Sequence, residues 1–568
     1  MWETPGVYHR QDGEKIAEHV RKTSASPKIS IVTHDSSHHH HNHVAAPEEV
    51  DSGEQSSAVS ARPIGRSSAD WFAAAPPERA TENWSSSSGP AQPAPPRNQP
   101  FRKETMASAL QKRQFAIVAL FFQVIFIILF ALFGKYDANA LPGGDESTAY
   151  VNKNYPLFQD IHVMMFVGFG FLMTFLRRYG FSAVSLNLVL TAFVIEWSMI
   201  MRGFLSHDFH EHGKFSIDLT SLMTADFGAA AVLISMGAML GKLSPVQYLL
   251  MAFIETTIGH IAEHVIVEIL HVNDVGGSIV VHTFGAYFGL SVARAMHKKS
   301  VIEHENEGSV YHSDIFSMIG TVFLWCFWPS FNAAIAKPED ARFRAIINTY
   351  LSMAACTLTA FIVSSIVDKT GRFNMIHVQN STLAGGVAIG TTANVVLEPY
   401  HAMLVGCVAA VVSVVGYQYI TPRLAVKLGI HDTCGVHDLH GMPGVLAGLL
   451  GAFFAMVYDP TVYGASIHDI YPQFEGGVHG GIRDRGSQAL YQLAGLGLAL
   501  LASIIGGLIT GLFLRLPIWN QVKETELYAD GDYFETSPDY DFSTRIVTRI
   551  DHIELTESSA LTNRHHEH

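Results

Sequence analysis

Apolar runs of about 20 residues recur from residue 114 to residue 515, each long enough to cross a hydrocarbon core of roughly 30 Å as a helix. Twelve such spans are expected, the first over 114–134 and the last over 489–515, with 277–296 and 376–396 among them. A chain with that pattern has few choices. In lipid every backbone N–H and C=O must be satisfied internally, so helices are the economical answer. Composition agrees: 48% of residues are hydrophobic and 15% charged, well under the roughly 25% charged of soluble domains. The expected fold class is therefore an all-α polytopic membrane protein with about twelve transmembrane helices. An even number of spans puts both tails on one side. Arg177, Arg178, Arg294, Lys298, Lys299, Lys369, Arg372, Arg423 and Lys427 all fall in links on that side. Basic residues favour the cytoplasmic face, although the opposite links also carry several, so the bias is modest.

The flanks have a different chemistry. Residues 1–111 are rich in Ser, Pro, Ala and His and are expected to be a disordered cytoplasmic tail, because such a segment buries too little apolar surface to offset its ordering entropy. No apolar stretch follows the first charges, so no cleavable signal peptide is expected. The tract His38–His43 has some capacity to bind metal weakly, but low complexity alone explains it. Residues 517–568 are polar and acidic and are expected to form a second, solvated cytoplasmic tail. The net charge of −14 gives no basis for binding nucleic acid. The four cysteines lie in or beside apolar segments without paired spacing, which supports neither a disulfide framework nor a cysteine metal site.

Inside the expected spans a few polar residues stand out. His282 sits in "GGSIVVHTFGAYFGLSVA" and His440 in "DLHGMPGVLAGLLGAFFAMV". An ionisable residue in a span is costly and normally faces a bundle interior or cavity. A single buried His is as readily a packing residue as a functional one. Two of them, each followed by a Gly-x-x-x-Gly face (Gly285 and Gly289; Gly444 and Gly448), favour a shared site between closely approaching helices. Neutral imidazoles donate and accept, which suits a small neutral polar solute. Asp274, eight residues before His282, is placed to cap that helix. Glu263 lies late in the preceding span and is a candidate for attracting a cation near one mouth. The stretch "HIAEH", His260 to His264, matches the H-x-x-E-H pattern of inverted zinc peptidases, but it lies in a span with no evident third ligand. No metal, cofactor or enzyme activity is expected, and no nucleotide motif of the form GxxxxGK[ST] occurs.

Longer strings carry a resemblance. "FQDIHVMMFVGFGFLMTFLRRYGFSAV", "DVGGSIVVHTFGAYFGL", "FLWCFWPSFNAAI", "HVQNSTLAGGVAIGT" and "DTCGVHDLHGMPG" together resemble the Rh glycoprotein branch of the ammonium transporter (Amt/Mep/Rh) family, from about Lys112 to Trp519. The resemblance implies two inverted five-helix halves plus one extra N-terminal helix, assembled as a homotrimer in the plasma membrane with a pore in each subunit. It makes His282 and His440 the paired pore histidines and Phe227 and Phe331 the gate at the outer mouth, beside Asp226 and Asn332. It gives Asp274 a supporting role and Glu263 a place in the outer vestibule. Composition alone would have singled out neither phenylalanine. The chain departs from the family in its long N-terminal tail, in the "GHIAEH" helix and in a first outer loop without a glycosylation sequon. The sequons at Asn83 and Asn380 fall in a tail and a span.

The function the resemblance implies is passage of ammonia or ammonium, with carbon dioxide as a further substrate of the same kind. Ammonium would gather near Glu263, lose a proton at the phenylalanines, and cross as ammonia past His282 and His440. The alternatives are an electrogenic, proton-linked transporter and, in another class, a membrane scaffold acting through cytoskeletal or regulatory partners of its tails. The retained histidine pair favours transport.

Overall fold

The computed structural model describes residues 110–536, apart from 112, 144–146 and 476–480. Ten helices in it are long and apolar enough to cross a membrane: α1 Gln114–Phe133, α2 Thr148–Phe175, α3 Gly180–Leu205, α4 Leu219–Met239, α5 Pro245–Ile269, α7 Tyr311–Ala333, α8 Glu339–Val367, α10 Pro399–Leu428, α11 His437–Val457 and α12 Arg485–Leu514. The other two expected spans, 277–296 and 376–396, are present as shorter helices, the second of them interrupted. Helix α6 runs over 278–295, opening with a π-helical turn at Ser278–Thr283. Helix α9 is a π turn at His377–Ser381 followed by Ala384–Gly390. Polar, small-residue segments such as "HVQNSTLAGG" cannot sustain a lipid-facing helix, and both pieces are almost wholly buried inside the bundle.

The helices run alternately up and down. Gln114 at the start of α1 donates to the Ile518 carbonyl beyond α12, and its side-chain oxygen accepts from the Asn520 N–H. Both ends of the bundle thus lie on one face, called here the tail face. Helices α2 and α7 are antiparallel neighbours. The Ser313 hydroxyl at the start of α7 donates to the Phe175 carbonyl at the end of α2 (2.6 Å), and Ser330 near the end of α7 donates to Asp160 in α2 (2.5 Å). That pairing fits two five-helix runs, α2–α6 and α7–α11, traversing in opposite senses.

Elementary rules account for the helix starts. The Asp218 carboxylate accepts from the Ser221 N–H to cap α4 (2.7 Å), and Asp484 does the same for α12 through Ser487 (2.7 Å). Proline opens α5 and α10, where its missing N–H costs nothing. Packing then sorts the helices. The most apolar window of α1 is only 11% buried, whereas that of α4 is 83% buried. Helix α4 is therefore central and α1 peripheral. An aromatic stack holds α1 to α3 and α5, with Phe126 lying 5.4 Å from Trp197 and Trp197 4.7 Å from Phe253. The Gly285-x-x-x-Gly289 face lies on α4. A methyl group on Gly285 would meet the Ala231 carbonyl oxygen at 2.5 Å, so only glycine permits this approach.

The described part of the C-terminal segment, expected to be solvated, is instead packed on the tail face. Tyr528 is fully buried, donates through its hydroxyl to the Val301 carbonyl (3.0 Å), and its N–H reaches the Gly241 carbonyl (3.0 Å). Asp530 accepts from the N–H groups of Phe181 and Ser182, each at 2.9 Å. The aromatic and capping residues among the acids of "ELYADGDYF" give this stretch something to bury, which its average polarity conceals. Residues 1–109, with the His38–His43 tract and the Asn83 sequon, and residues 537–568 lie outside the described residues.

Candidate pore site

Two π-helical turns bring the histidines together. His282 lies in the turn that opens α6 and His440 in the one that opens α11, Val436 leading directly into His437–Gly441. A π turn widens the helix and shifts the following side chains, and such turns recur at functional sites. Here the two Nδ1 atoms come to 3.1 Å, with the rings 5.1 Å apart and 5° from parallel. Each histidine is 2% exposed. Two neutral rings meeting Nδ1 to Nδ1 share a single hydrogen. One ring therefore carries its proton on Nδ1 and the other on Nε2, so one Nε2 accepts and the other donates.

The walls around the pair are apolar. Trp328 stacks on His282 at 5.6 Å, and Phe169 on His440 at 6.1 Å. Phe227 and Phe331 meet at 4.5 Å between ring centroids, and Phe331 lies 5.7 Å from His282. The phenylalanine pair therefore sits directly over the first histidine. Beyond it, on the face opposite the tails, opens a vestibule of about 900 Å³ whose lining includes Phe227, Arg202, Glu263, Asp274 and His264.

Each remaining candidate has a definite place. Asp274 works as a capping residue: its Oδ2 accepts from the N–H groups of Ile279 and Val280, both at 2.9 Å, and its Oδ1 accepts from the Thr391 hydroxyl at 2.6 Å. Glu263 does not face the vestibule as a bare carboxylate. It is ion-paired with Arg202 and accepts from His260 Nδ1 at 2.9 Å, while His260 Nε2 contacts the Ser198 hydroxyl at 2.8 Å. Its charge is largely matched in place. The "HIAEH" segment is thereby explained as part of this polar link between α3 and α5, and no cluster of three His, Cys, Asp or Glu suited to a metal ion occurs among the described residues. Asn332 donates to the Thr349 hydroxyl and the Gly386 carbonyl, each at 3.0 Å, tying α7 to α8 and α9. Asp226 is fully buried next to Phe227 in sequence, its carboxylate 3.5 Å from His162 Nδ1 and without a hydrogen-bond donor among the described residues. Asn380 is buried with its amide nitrogen on the Cys434 carbonyl at 2.7 Å, which excludes a glycan there.

One residue escaped sequence reasoning. Asp432 accepts from the N–H groups of Gly435 and Val436 at 3.1 Å and of His437 at 2.9 Å, capping α11 as Asp274 caps α6. The signal was available: each histidine follows its aspartate by eight residues, in "DVGGSIVVH" and "DTCGVHDLH". The same spacing thus recurs in the two five-helix runs.

Comparison with known proteins gives a consistent result. The model of the Ammonium Transporter Family matches residues 119–533. The chain is 47% identical over 430 residues to the ammonium transporter Rh type B of Xenopus tropicalis, covering 74% of this chain and 92% of that protein. It is 46% identical over 435 residues to the Rh type A protein of Mus musculus, covering 73% and 93%. Among solved structures, Rh50 of Nitrosomonas europaea, described as one of the Rhesus protein family of channels, superposes with a TM-score of 0.60 at 31% identity, covering 72% of this chain and 99% of that one. Saccharomyces cerevisiae Mep2 shares the fold at a TM-score of 0.52 and 20% identity, covering 70% of this chain and 89% of that one.

Proposed function

The chain belongs to the Rh branch of the ammonium transporter family and is a multi-pass membrane channel for ammonia or ammonium; from that premise we propose that the species crossing is neutral ammonia, guided by His282 and His440. The observation that carries this reading is the buried imidazole pair, 3.1 Å apart under a double phenylalanine lid. Moving a bare ion into surroundings of low dielectric has an idealised cost of order 20 kcal/mol. Neutral imidazoles and aromatic walls offer little to offset it, for ammonium, sodium or potassium. Ammonia needs only a hydrogen bond or two, and the opposed Nε2 atoms supply one acceptor and one donor.

Ammonium entering from the vestibule gives its proton to water above Phe227 and Phe331. Ammonia passes the histidines and takes a proton from water on the tail side. Arg202 tempers the attraction of Glu263, so recruitment rests on the vestibule as a whole. Asp274 and Asp432 hold the two histidine-bearing turns, and Asp226 and Asn332 hold the helices of the gate. Carbon dioxide, small and neutral, meets the same low barrier. By analogy with the family, the same reading takes the protein to be a homotrimer of the plasma membrane with its tail face toward the cytoplasm.

The deciding experiment is methylammonium or ammonia flux in proteoliposomes with current recorded at the same time, for the wild type and for His282→Ala with His440→Ala. Flux without current, sharply reduced in the variant, is the expected result. Flux with current that becomes ordinary cation leakage in the variant would instead establish a proton-relaying transporter. No flux from either protein would favour a scaffold.

A further inference from the structure

On the tail side of His440 lies a second, small cavity of about 40 Å³, lined among others by Phe169, Gln379, Asn380, Tyr417 and Thr433. It has room for a few water-sized molecules. Gln379 and Asn380 are 3% and 7% exposed, and both come from the π turn that opens the broken helix α9. Their amide nitrogens are already committed: Gln379 Nε2 donates to the Asp314 carbonyl at 3.0 Å, and Asn380 Nδ2 to the Cys434 carbonyl at 2.7 Å. These bonds fix which way each amide points, because a carbonyl can only accept. The side-chain oxygens, Gln379 Oε1 and Asn380 Oδ1, have no donor from the protein among the described residues, and neither is sealed away from the cavity. Two oriented acceptors thus open into a space directly beyond the second histidine.

We propose that this cavity is a binding station for ammonium or ammonia on the tail side, recognised through Gln379 Oε1 and Asn380 Oδ1. The proposal rests on the conduction reading above and deepens it. Amide oxygens accept N–H donors from either species but do not take up a proton. The station therefore holds the solute without deciding its protonation state, unlike a carboxylate. The vestibule on the opposite face is built from charged groups instead, so the two entrances recognise the same solute by different chemistry. Gln379 and Asn380 of α9 line the tail-side cavity and not the vestibule.

The test uses the full-length channel reconstituted in a single orientation, with the half-saturation concentration for methylammonium measured from each face. Gln379→Met and Asn380→Leu keep approximate shape and remove the oxygens, together with the amide donors to the Asp314 and Cys434 carbonyls, so the opposite face serves as the control for that structural loss. Each lost hydrogen bond is expected to raise half-saturation from the tail face about five-fold, with the value from the opposite face unchanged. That unchanged value also shows that the variant is folded and conducting. Should either variant fail to insert, Asn380→Ser, which shortens the acceptor within the same polar setting, is expected to show a smaller shift of the same sidedness. Unaltered half-saturation at both faces, or an equal rise at both, would overturn the station and leave the cavity to water. Absence of saturable flux in the wild type would overturn the conduction reading on which it stands.

Discussion

His282 and His440 meet Nδ1 to Nδ1 at 3.1 Å, with their rings within 5° of parallel. The single shared hydrogen makes the two side chains one hydrogen-bonding unit, because the tautomer of either ring dictates that of the other. Residues acting as a unit are not additive on substitution. Ammonia flux is therefore expected to fall by a similar factor in His282→Ala, in His440→Ala and in the double variant. Stopped-flow alkalinisation of proteoliposomes measures all three, and a double variant as weak as the product of the singles would disprove the coupling.

The proposed gate invites a different measurement. Phe227 and Phe331 touch at 4.5 Å, and Phe331 in turn covers His282. Phe331→Ala removes the inner half of this lid and lets vestibule water reach the imidazole. Conductance of small cations is expected to appear where the wild type shows little. The cavity should also cost about 3–5 kcal/mol of stability, visible as a lower melting temperature of the purified protein. A variant that melts early yet conducts no cations would show that the lid is structural only.

Asp274 and Asp432 make parallel predictions. Asp274→Ala orphans the N–H groups of Ile279 and Val280 and the Thr391 hydroxyl. Asp432→Ala orphans three backbone N–H groups. Each unsatisfied buried donor costs roughly 1–3 kcal/mol. Both variants are expected to melt well below the wild type by differential scanning fluorimetry, and Thr391→Val by less than Asp274→Ala. Equal stability of all variants would remove the capping role.

Lys242, in the link between α4 and α5, gives a pH dependence. Its ammonium donates to the His431 carbonyl at 2.7 Å, and His431 is paired with Glu307 at 3.0 Å. Burial pushes the Lys242 amine down to about 8, against the pull of Asp432 and Glu307. The folded amine thus holds its proton less tightly than the unfolded one, and the unfolded chain carries more protons between pH 8 and the ordinary lysine value. Stability from this group rises with pH through that window. The melting temperature of the wild type is expected to gain on that of Lys242→Met between pH 8 and 10; parallel curves would refute it.

Much of this architecture was legible in the chain. The apolar runs are long and unambiguous, and a histidine inside one is rare enough to be noticed. The phenylalanine pair was not legible from composition, since Phe227 and Phe331 differ from lipid-facing phenylalanines only in where their helices bring them. Helix α9 blurred for a related reason. Buried inside other helices, it needs no continuous apolar surface, and it is interrupted between Ser381 and Ala384. The pairing of Glu263 with Arg202 spans two helices, and nothing local in either one announces it. Asp432 is the exception, for its spacing to His440 repeats that of Asp274 to His282 and was there to be read.

The docked strap on the tail face sets where this polypeptide can be shortened. Tyr528 and Asp530 fasten to the turn at Gly241, the start of α3 and the Val301 loop, and the Val522 carbonyl holds Lys298 at 3.2 Å. A stop after residue 536 leaves every one of these fastenings in place. A stop at residue 516 strips them all, uncovering the pocket that Tyr528 fills and freeing backbone donors at Phe181 and Ser182. In terms of tolerance to truncation, the membrane domain ends near residue 534 rather than at the last apolar helix, and lesions between those points should behave as damage to the bundle itself.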